Sequence, residues 1–229
     1  FLENELQSED VLGLGFDHVV TATGSTWELS TLDSHFVPQP IEKQQGVFTP
    51  DDVLKGCELQ SPVVIYDFDY YYMGGLIAEY ISDMGHEVTI ITPFENISPW
   101  SFMSNEVNAI KAKMHKKNIK TITEHRISEF KNESLSLTHK VTKEVMDVDR
   151  KSLVIVGMRL PDDSLYQELN ANQPLLEDSG IKTLKNIGDS NAPGAVFHAV
   201  YAGHMYANTF DSKVDESSLE FKFEYPVIQ

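Results

Sequence analysis

One stretch constrains this chain more than any other: Pro62-Val-Val-Ile-Tyr-Asp-Phe-Asp-Tyr-Tyr-Tyr-Met-Gly-Gly-Leu-Ile-Ala-Glu-Tyr80. A short β-branched apolar run, a turn and an apolar pattern at helical spacing predict a buried strand followed by a helix. Tyr72, Leu76, Ile77 and Tyr80 are the candidates for the helix face that packs on a sheet. Gly85 stops the helix, and Glu87-Val-Thr-Ile-Ile-Thr92 supplies a second strand. Strand, helix and strand in this order open a βαβ unit of the dinucleotide-binding kind.

The fingerprint that should complete such a unit is absent. A dinucleotide site presses backbone N–H groups against a pyrophosphate at a helix N-terminus, which is why a Gly-x-Gly-x-x-Gly turn follows the first strand. Asp67 and Asp69 stand where the first two glycines belong, and Gly74 comes too late. Two carboxylates repel the anion, and their side chains block its approach. The stretch therefore reads as a Rossmann-type unit whose NAD(P) site has been lost.

The flanks extend the pattern. Phe16-Asp-His-Val-Val-Thr-Ala-Thr-Gly24 predicts a strand and a tight turn, and residues 25–48 look irregular. Thr49-Pro50-Asp51-Asp52 starts a short helix, with Thr as cap and Pro at the first helical position, and Gly56 ends it. Residues 101–117 predict a helix through Met103, Val107, Ile110 and Met114, stopped at Asn118. Ile119 to Glu124 predicts a strand, residues 127–149 a small antiparallel meander, and Ser152-Leu-Val-Ile-Val-Gly157 a strand buried on both faces. Asp163 to Asn170 predicts a surface helix, Ile181 to Ile187 a strand, and Pro193-Gly194 the opening of a helix to about Asn208. Residues 211–229 form an acidic tail with alternating Phe221, Phe223 and Tyr225.

Composition excludes several function classes. The net charge of −17 argues against nucleic acid or an anionic membrane surface as a partner. The single cysteine, Cys57, excludes an internal disulfide or a cysteine-ligated iron–sulfur cluster within this chain. No apolar run approaches the length of a membrane span, no signal peptide is visible, and a cytoplasmic location is expected. His198 and His204 lie six apart on the last helix, off a common face, so they do not suggest a metal pair. Tyr70, Tyr71 and Tyr72 read as packing groups at the domain junction, with an aromatic platform for a base or a protein partner as the alternative, and Trp100 reads as a packing group. No Ser/His/Asp or paired-carboxylate constellation stands out.

Two strand ends carry the functional signal: Val19-Val-Thr-Ala-Thr-Gly24 and Leu184-Lys-Asn-Ile-Gly-Asp189. An Ala-Thr-Gly after a strand, a complete βαβ unit, then a strand ending in Gly-Asp before a helix is the ground plan of flavoproteins with two dinucleotide-binding domains, one interrupting the other. A glycine permits the tight turn, a carboxylate can accept from sugar hydroxyls, and a helix N-terminus faces the phosphates. The plain alternative is an α/β domain in which Asp189 only caps the helix.

At this point a resemblance narrows the reading. FDHVVTATGSTW (16–27), VFTPDDVLKG (47–56), VVIYDFDYYYMGGLIAEYISDMGHEVTIIT (63–92), ISPW (97–100) and IGDSNAPGAVFHAVYAGHMYA (187–207) resemble the C-terminal portion of trimethylamine and dimethylamine dehydrogenase-like flavoproteins. These belong to the NADH:flavin oxidoreductase and 2,4-dienoyl-CoA reductase superfamily. The variant over residues 66–74 is similar to the amine-dehydrogenase side of it.

The resemblance implies an α/β chain of two Rossmann-like three-layer units. Residues 1–30 and 151–229 would form a partial FAD- or ADP-binding domain, incomplete because its first βαβ precedes Phe1. Residues 31–150 would form the nicotinamide-type domain with a degenerate fingerprint. Thr23, Gly24, Gly188 and Asp189 map onto the ADP or FAD site. FMN and a [4Fe–4S] cluster would belong to an N-terminal (β/α)8 barrel of the longer parent, which packs on this region. The parent would demethylate a small methylated amine, pass electrons to an electron-transfer flavoprotein and form a homodimer, while this region alone would be inactive. Two other readings remain open: an NAD(P)H-dependent reductase of the dienoyl-CoA type, and a docking module without nucleotide.

Overall fold

The computed structural model describes residues 3–210, so the acidic tail with Phe221, Phe223 and Tyr225 lies outside the described residues. The chain divides into two compact units. One holds the chain up to Ser25 and from Pro161 onward, and the other is Thr26–Leu160.

The Thr26–Leu160 unit is built on a five-stranded parallel sheet in the order Val47–Phe48, Ser152–Val156, Val63–Asp67, Val88–Ile91, Lys120–Ile122. Every residue of the three central strands is buried. The two-residue period of a strand sends alternate side chains to opposite faces. Val63, Ile65, Val88, Ile90, Val154 and Val156 join one core with Ile77, Ala78 and Ile81 of the helix Met73–Asp83 and Met114 of the helix Val107–Lys116. Val64, Tyr66, Ile91, Leu153 and Ile155 join a second core with Ile127, Leu135 and Leu137 of the antiparallel meander. That meander is His125–Phe130, Ser134–His139 and Val145–Asp149. The unit therefore has three layers: helices, parallel sheet and antiparallel sheet.

Four details depart from the sequence reading. That reading ended the nicotinamide-type domain at residue 150, but Ser152–Val156 lies between Val47–Phe48 and Val63–Asp67, so the unit runs to Leu160. The irregular region at 25–48 contains short strands, with Ser30–Leu32 pairing antiparallel to Pro38–Pro40. The helix expected from residue 101 begins at Val107; Pro99–Phe102 forms a 3-10 turn, and Asn105 takes a left-handed φ of 61° that no helix accepts. The buried face of Met73–Asp83 is Gly74, Gly75, Ile77, Ala78 and Ile81, while Leu76 and Tyr80 are exposed. Ile77 is buried as the sequence reading expected, while Leu76 and Tyr80 point to solvent and Gly74, Gly75, Ala78 and Ile81 complete the face on the sheet.

In the other unit His18–Thr21 runs parallel to Thr183–Asn186 in direct register. Val11, Leu169, Leu176 and Ile181 form its core, drawn from the helices Ser8–Gly13, Ser164–Asn170 and Gln173–Asp178 and from the entry to the second strand. The helix Val196–Thr209 follows, with none of its residues buried. No helix among the described residues is long and apolar enough to cross a membrane.

Candidate nucleotide sites

The turn after Val63–Asp67 is filled by its own side chains. Asp67 is fully buried, and its Oδ1 accepts from the Asp69 N–H at 3.1 Å. Its Oδ2 has no hydrogen-bond partner among the described residues and lies over Gly74. Burial, then the neighbouring Asp69 charge, push the Asp67 carboxyl up to about 8, so it holds its proton at neutral pH. Burial also raises the Asp69 carboxyl, and the Arg159 guanidinium and the Tyr71 N–H pull it back. Arg159 Nη2 lies 3.8 Å from Asp69 Oδ1, and its guanidinium stacks over the Trp27 ring at 5.1 Å.

The rest of the turn is equally occupied. The Phe68 ring covers Gly157 at the end of the neighbouring strand. Tyr70 takes a φ of 75°, accepts from the Trp100 N–H at 3.1 Å and sets its ring edge-on to Phe94. Tyr71 packs on Trp100, and the Tyr72 hydroxyl meets Ser104 and Glu106. The three tyrosines are thus packing groups tied to the segment 94–106. A pyrophosphate pressed on this helix N-terminus would meet a buried carboxyl and an aromatic ring instead of bare backbone.

The residues read as a nucleotide site sit together in the other unit. The parallel register places Thr21 beside Asn186, so both strands release their turns at the same end. Thr21 Oγ1 donates to Asn186 Oδ1 at 2.9 Å, and the Ile187 N–H donates to Thr21 O at 3.0 Å. Beyond this clamp Thr23 is exposed and donates to Asp162 O. Gly24 takes a φ of 89° with open space where a side chain would stand, and its carbonyl accepts from the Asp162 N–H at 3.0 Å. Gly188 takes a φ of 67° at the start of the 3-10 turn Gly188–Ser190.

Asp189 spans the two ends. Ser25 Oγ donates to its Oδ2 at 3.4 Å and the Gly194 N–H to its Oδ1 at 3.1 Å. It thus holds the turn before the last helix, whose cap residue is Ala195 rather than Asp189. Bare backbone is thus left open at Gly24, next to the residue whose hydroxyl meets the Asp189 carboxylate. Phe68, Arg159 and Ser25 were missed by the sequence reading; a Phe between two aspartates and an Arg two residues past Gly157 carry no spacing that separates them from ordinary loop residues. Burial raises the Cys57 thiol, so this lone cysteine is not an activated nucleophile.

The fold is shared with known proteins. The family model for the OYE-like second alpha/beta domain matches residues 48–153. The chain is 24% identical to dimethylamine dehydrogenase of Hyphomicrobium sp. (strain x), over 97% of this chain and 33% of that protein. Histamine dehydrogenase from Rhizobium sp. 4-9 superposes with a TM-score of 0.87 at 33% identity, over 99% of this chain and 36% of that one. The chain is similar to a portion of the trimethylamine dehydrogenase-like flavoproteins. Within this NADH:flavin oxidoreductase family, 6-hydroxypseudooxynicotine amine oxidase from Pseudomonas geniculata N1 also matches, with a TM-score of 0.79 at 28% identity, over 89% of this chain and 30% of that one. The chain thus spans about a third of the length of these flavoprotein relatives.

Proposed function

We propose that this chain is the nucleotide-holding scaffold region of an amine-dehydrogenase-like oxidoreductase, and that its own residues make and break no bond. One observation carries the reading: the turn that should cradle a nicotinamide dinucleotide is plugged by Asp67 on Gly74 and Phe68 on Gly157. An enzyme reduced by NAD(P)H needs that turn. One that takes electrons from an amine and hands them to an electron-transfer flavoprotein does not. The relatives named for dimethylamine, histamine and an amine substrate support the second route.

In this reading Thr23, Gly24, Gly188 and Asp189 hold ADP or FAD: the glycines give the phosphate chain access to backbone, and Asp189 accepts from sugar hydroxyls. FMN and a [4Fe–4S] cluster belong to a (β/α)8 barrel of the longer protein, where the flavin supplies the redox chemistry of oxidative N-demethylation. The test is to denature the full-length protein and identify what it releases by mass spectrometry. FMN with ADP supports the amine-dehydrogenase route. FMN with FAD supports a nucleotide at Asp189 and returns the reductase reading to contention. FMN with no second nucleotide overturns the scaffold role.

A further inference from the structure

At the opposite end of the parallel sheet from the Asp67 turn, where Val47–Phe48 and Ser152–Val156 begin, lies a cavity of about 780 Å³. Arg150 lines it and is the one charged residue there that is buried, at 4% exposure. The chain fixes it from both sides: its N–H donates to Glu133 O at 2.8 Å, and the next N–H, of Lys151, donates to Pro62 O at 2.9 Å. Its guanidinium makes a single hydrogen bond among the described residues, from Nη2 to Lys131 O at 3.3 Å. Nε has no partner, and no carboxylate of the described residues lies within ion-pair distance. Burial alone acts on its titration, lowering it without any compensating charge.

Such an arrangement is unfavourable as it stands. A guanidinium keeps its proton in a protein and presents five donors in a planar fork. Burying that charge without an anion to meet it is costly, and buried arginines are therefore paired. The surroundings supply more positive charge. Lys151 lines the cavity, is exposed and pairs with no carboxylate among the described residues, and Lys43 lines it while holding Asp52 at 3.5 Å. Glu58 and Glu133 also line the cavity, but both are exposed to solvent and neither pairs with Arg150. Exposed carboxylates are screened by water, whereas Nε of the guanidinium is shielded from it.

We infer that Arg150, with Lys151 and Lys43 at the rim, forms an oxyanion-binding site for a phosphate- or carboxylate-bearing ligand, separate from the Asp189 site and independent of the nucleotide reading. The fork of Arg150 would take two oxygens of the anion side by side, the geometry in which arginine surpasses lysine.

The experiment is a calorimetric titration of the full chain with inorganic phosphate, at constant ionic strength held by sodium chloride. A saturable one-to-one isotherm is expected, weakened by roughly tenfold in Arg150→Lys, which keeps the charge and loses the fork. Should that variant fail to fold, Lys151→Gln on the exposed rim carries the test, with a several-fold loss expected. A parallel titration with acetate separates the two sources: tighter phosphate assigns a phosphate ligand, and acetate alone assigns a carboxylate. Heat that does not saturate with either anion, or equal affinity in the variants that fold, overturns the site.

Discussion

Gly74 lies directly against Asp67: a Cβ added to Gly74 would stand 2.1 Å from Asp67 Oδ2 and 2.7 Å from Asp67 Cβ. The helix Met73–Asp83 is seated on the strand Val63–Asp67 through this contact. A Gly74→Ala substitution must push aside a carboxyl that is itself walled in, and is expected to cost about 3 kcal/mol by overpacking. The neighbouring Gly75→Ala is the control. Its Cβ would meet Ser98 Oγ at 3.4 Å, and the gain in helix propensity of about 1 kcal/mol offsets that contact. Urea unfolding of the two variants checks the contrast, and equal midpoints would remove Asp67 as the seat of the helix.

The buried Asp67 makes stability depend on pH in an unusual direction. Its carboxyl releases a proton near 3.8 in the unfolded chain and at about 8 in the folded one. Between those values the folded chain binds more protons, so its advantage is full below the lower value and is lost as pH rises through the upper one. Stability is expected to fall from about pH 4 to about pH 8, by at most about 1.4 kcal/mol per pH unit for this group. Asp69 is shifted the same way and adds to the slope. Asp67→Asn keeps the shape of the neutral acid and should flatten the profile. Urea midpoints across that range measure both, and identical slopes in the two proteins would contradict the assignment.

A plugged turn predicts failure to bind a reduced nicotinamide cofactor. The full chain should show no saturable quenching when titrated with NADH. Asp69→Gly should not create binding, because Asp67 and the Phe68 ring remain in place over Gly74 and Gly157. Micromolar affinity in the unmodified chain would reverse the reading of Asp67 and Asp69.

Asp189→Ala in the full-length protein should lower the amount of ADP or FAD retained per polypeptide, while the far-ultraviolet circular dichroism stays that of the parent. Gly24→Ala should act differently. Nothing stands within 4 Å of its missing side chain, so the cost is that of holding an alanine at a φ of 89°, about 1 kcal/mol of stability. Retained nucleotide unchanged in Asp189→Ala would leave Asp189 as a brace for Ser25 and Gly194 alone.

The sequence by itself determined the strands and the βαβ order, because a buried parallel strand must be apolar throughout and a helix must end at Gly85 or Asn118, both with left-handed φ. It also determined that the dinucleotide fingerprint is missing, since two aspartates in a glycine turn are visible without coordinates. It singled out Thr23, Gly24, Gly188 and Asp189, and the parallel register of His18–Thr21 with Thr183–Asn186 brings those turns to one end. Only the tertiary structure decided which face of Met73–Asp83 is buried, because the close contact of Gly74 with Asp67 fixes how the helix is turned on the sheet, with Ile77 and Ile81 inward and Leu76 and Tyr80 outward. It alone placed Ser152–Val156 inside the Thr26–Leu160 unit, since a strand's neighbours are fixed by hydrogen bonds to residues some ninety positions away. And it alone revealed Arg150 as a buried cation without an anion, because burial and pairing are properties of the space around a side chain, which no local pattern encodes.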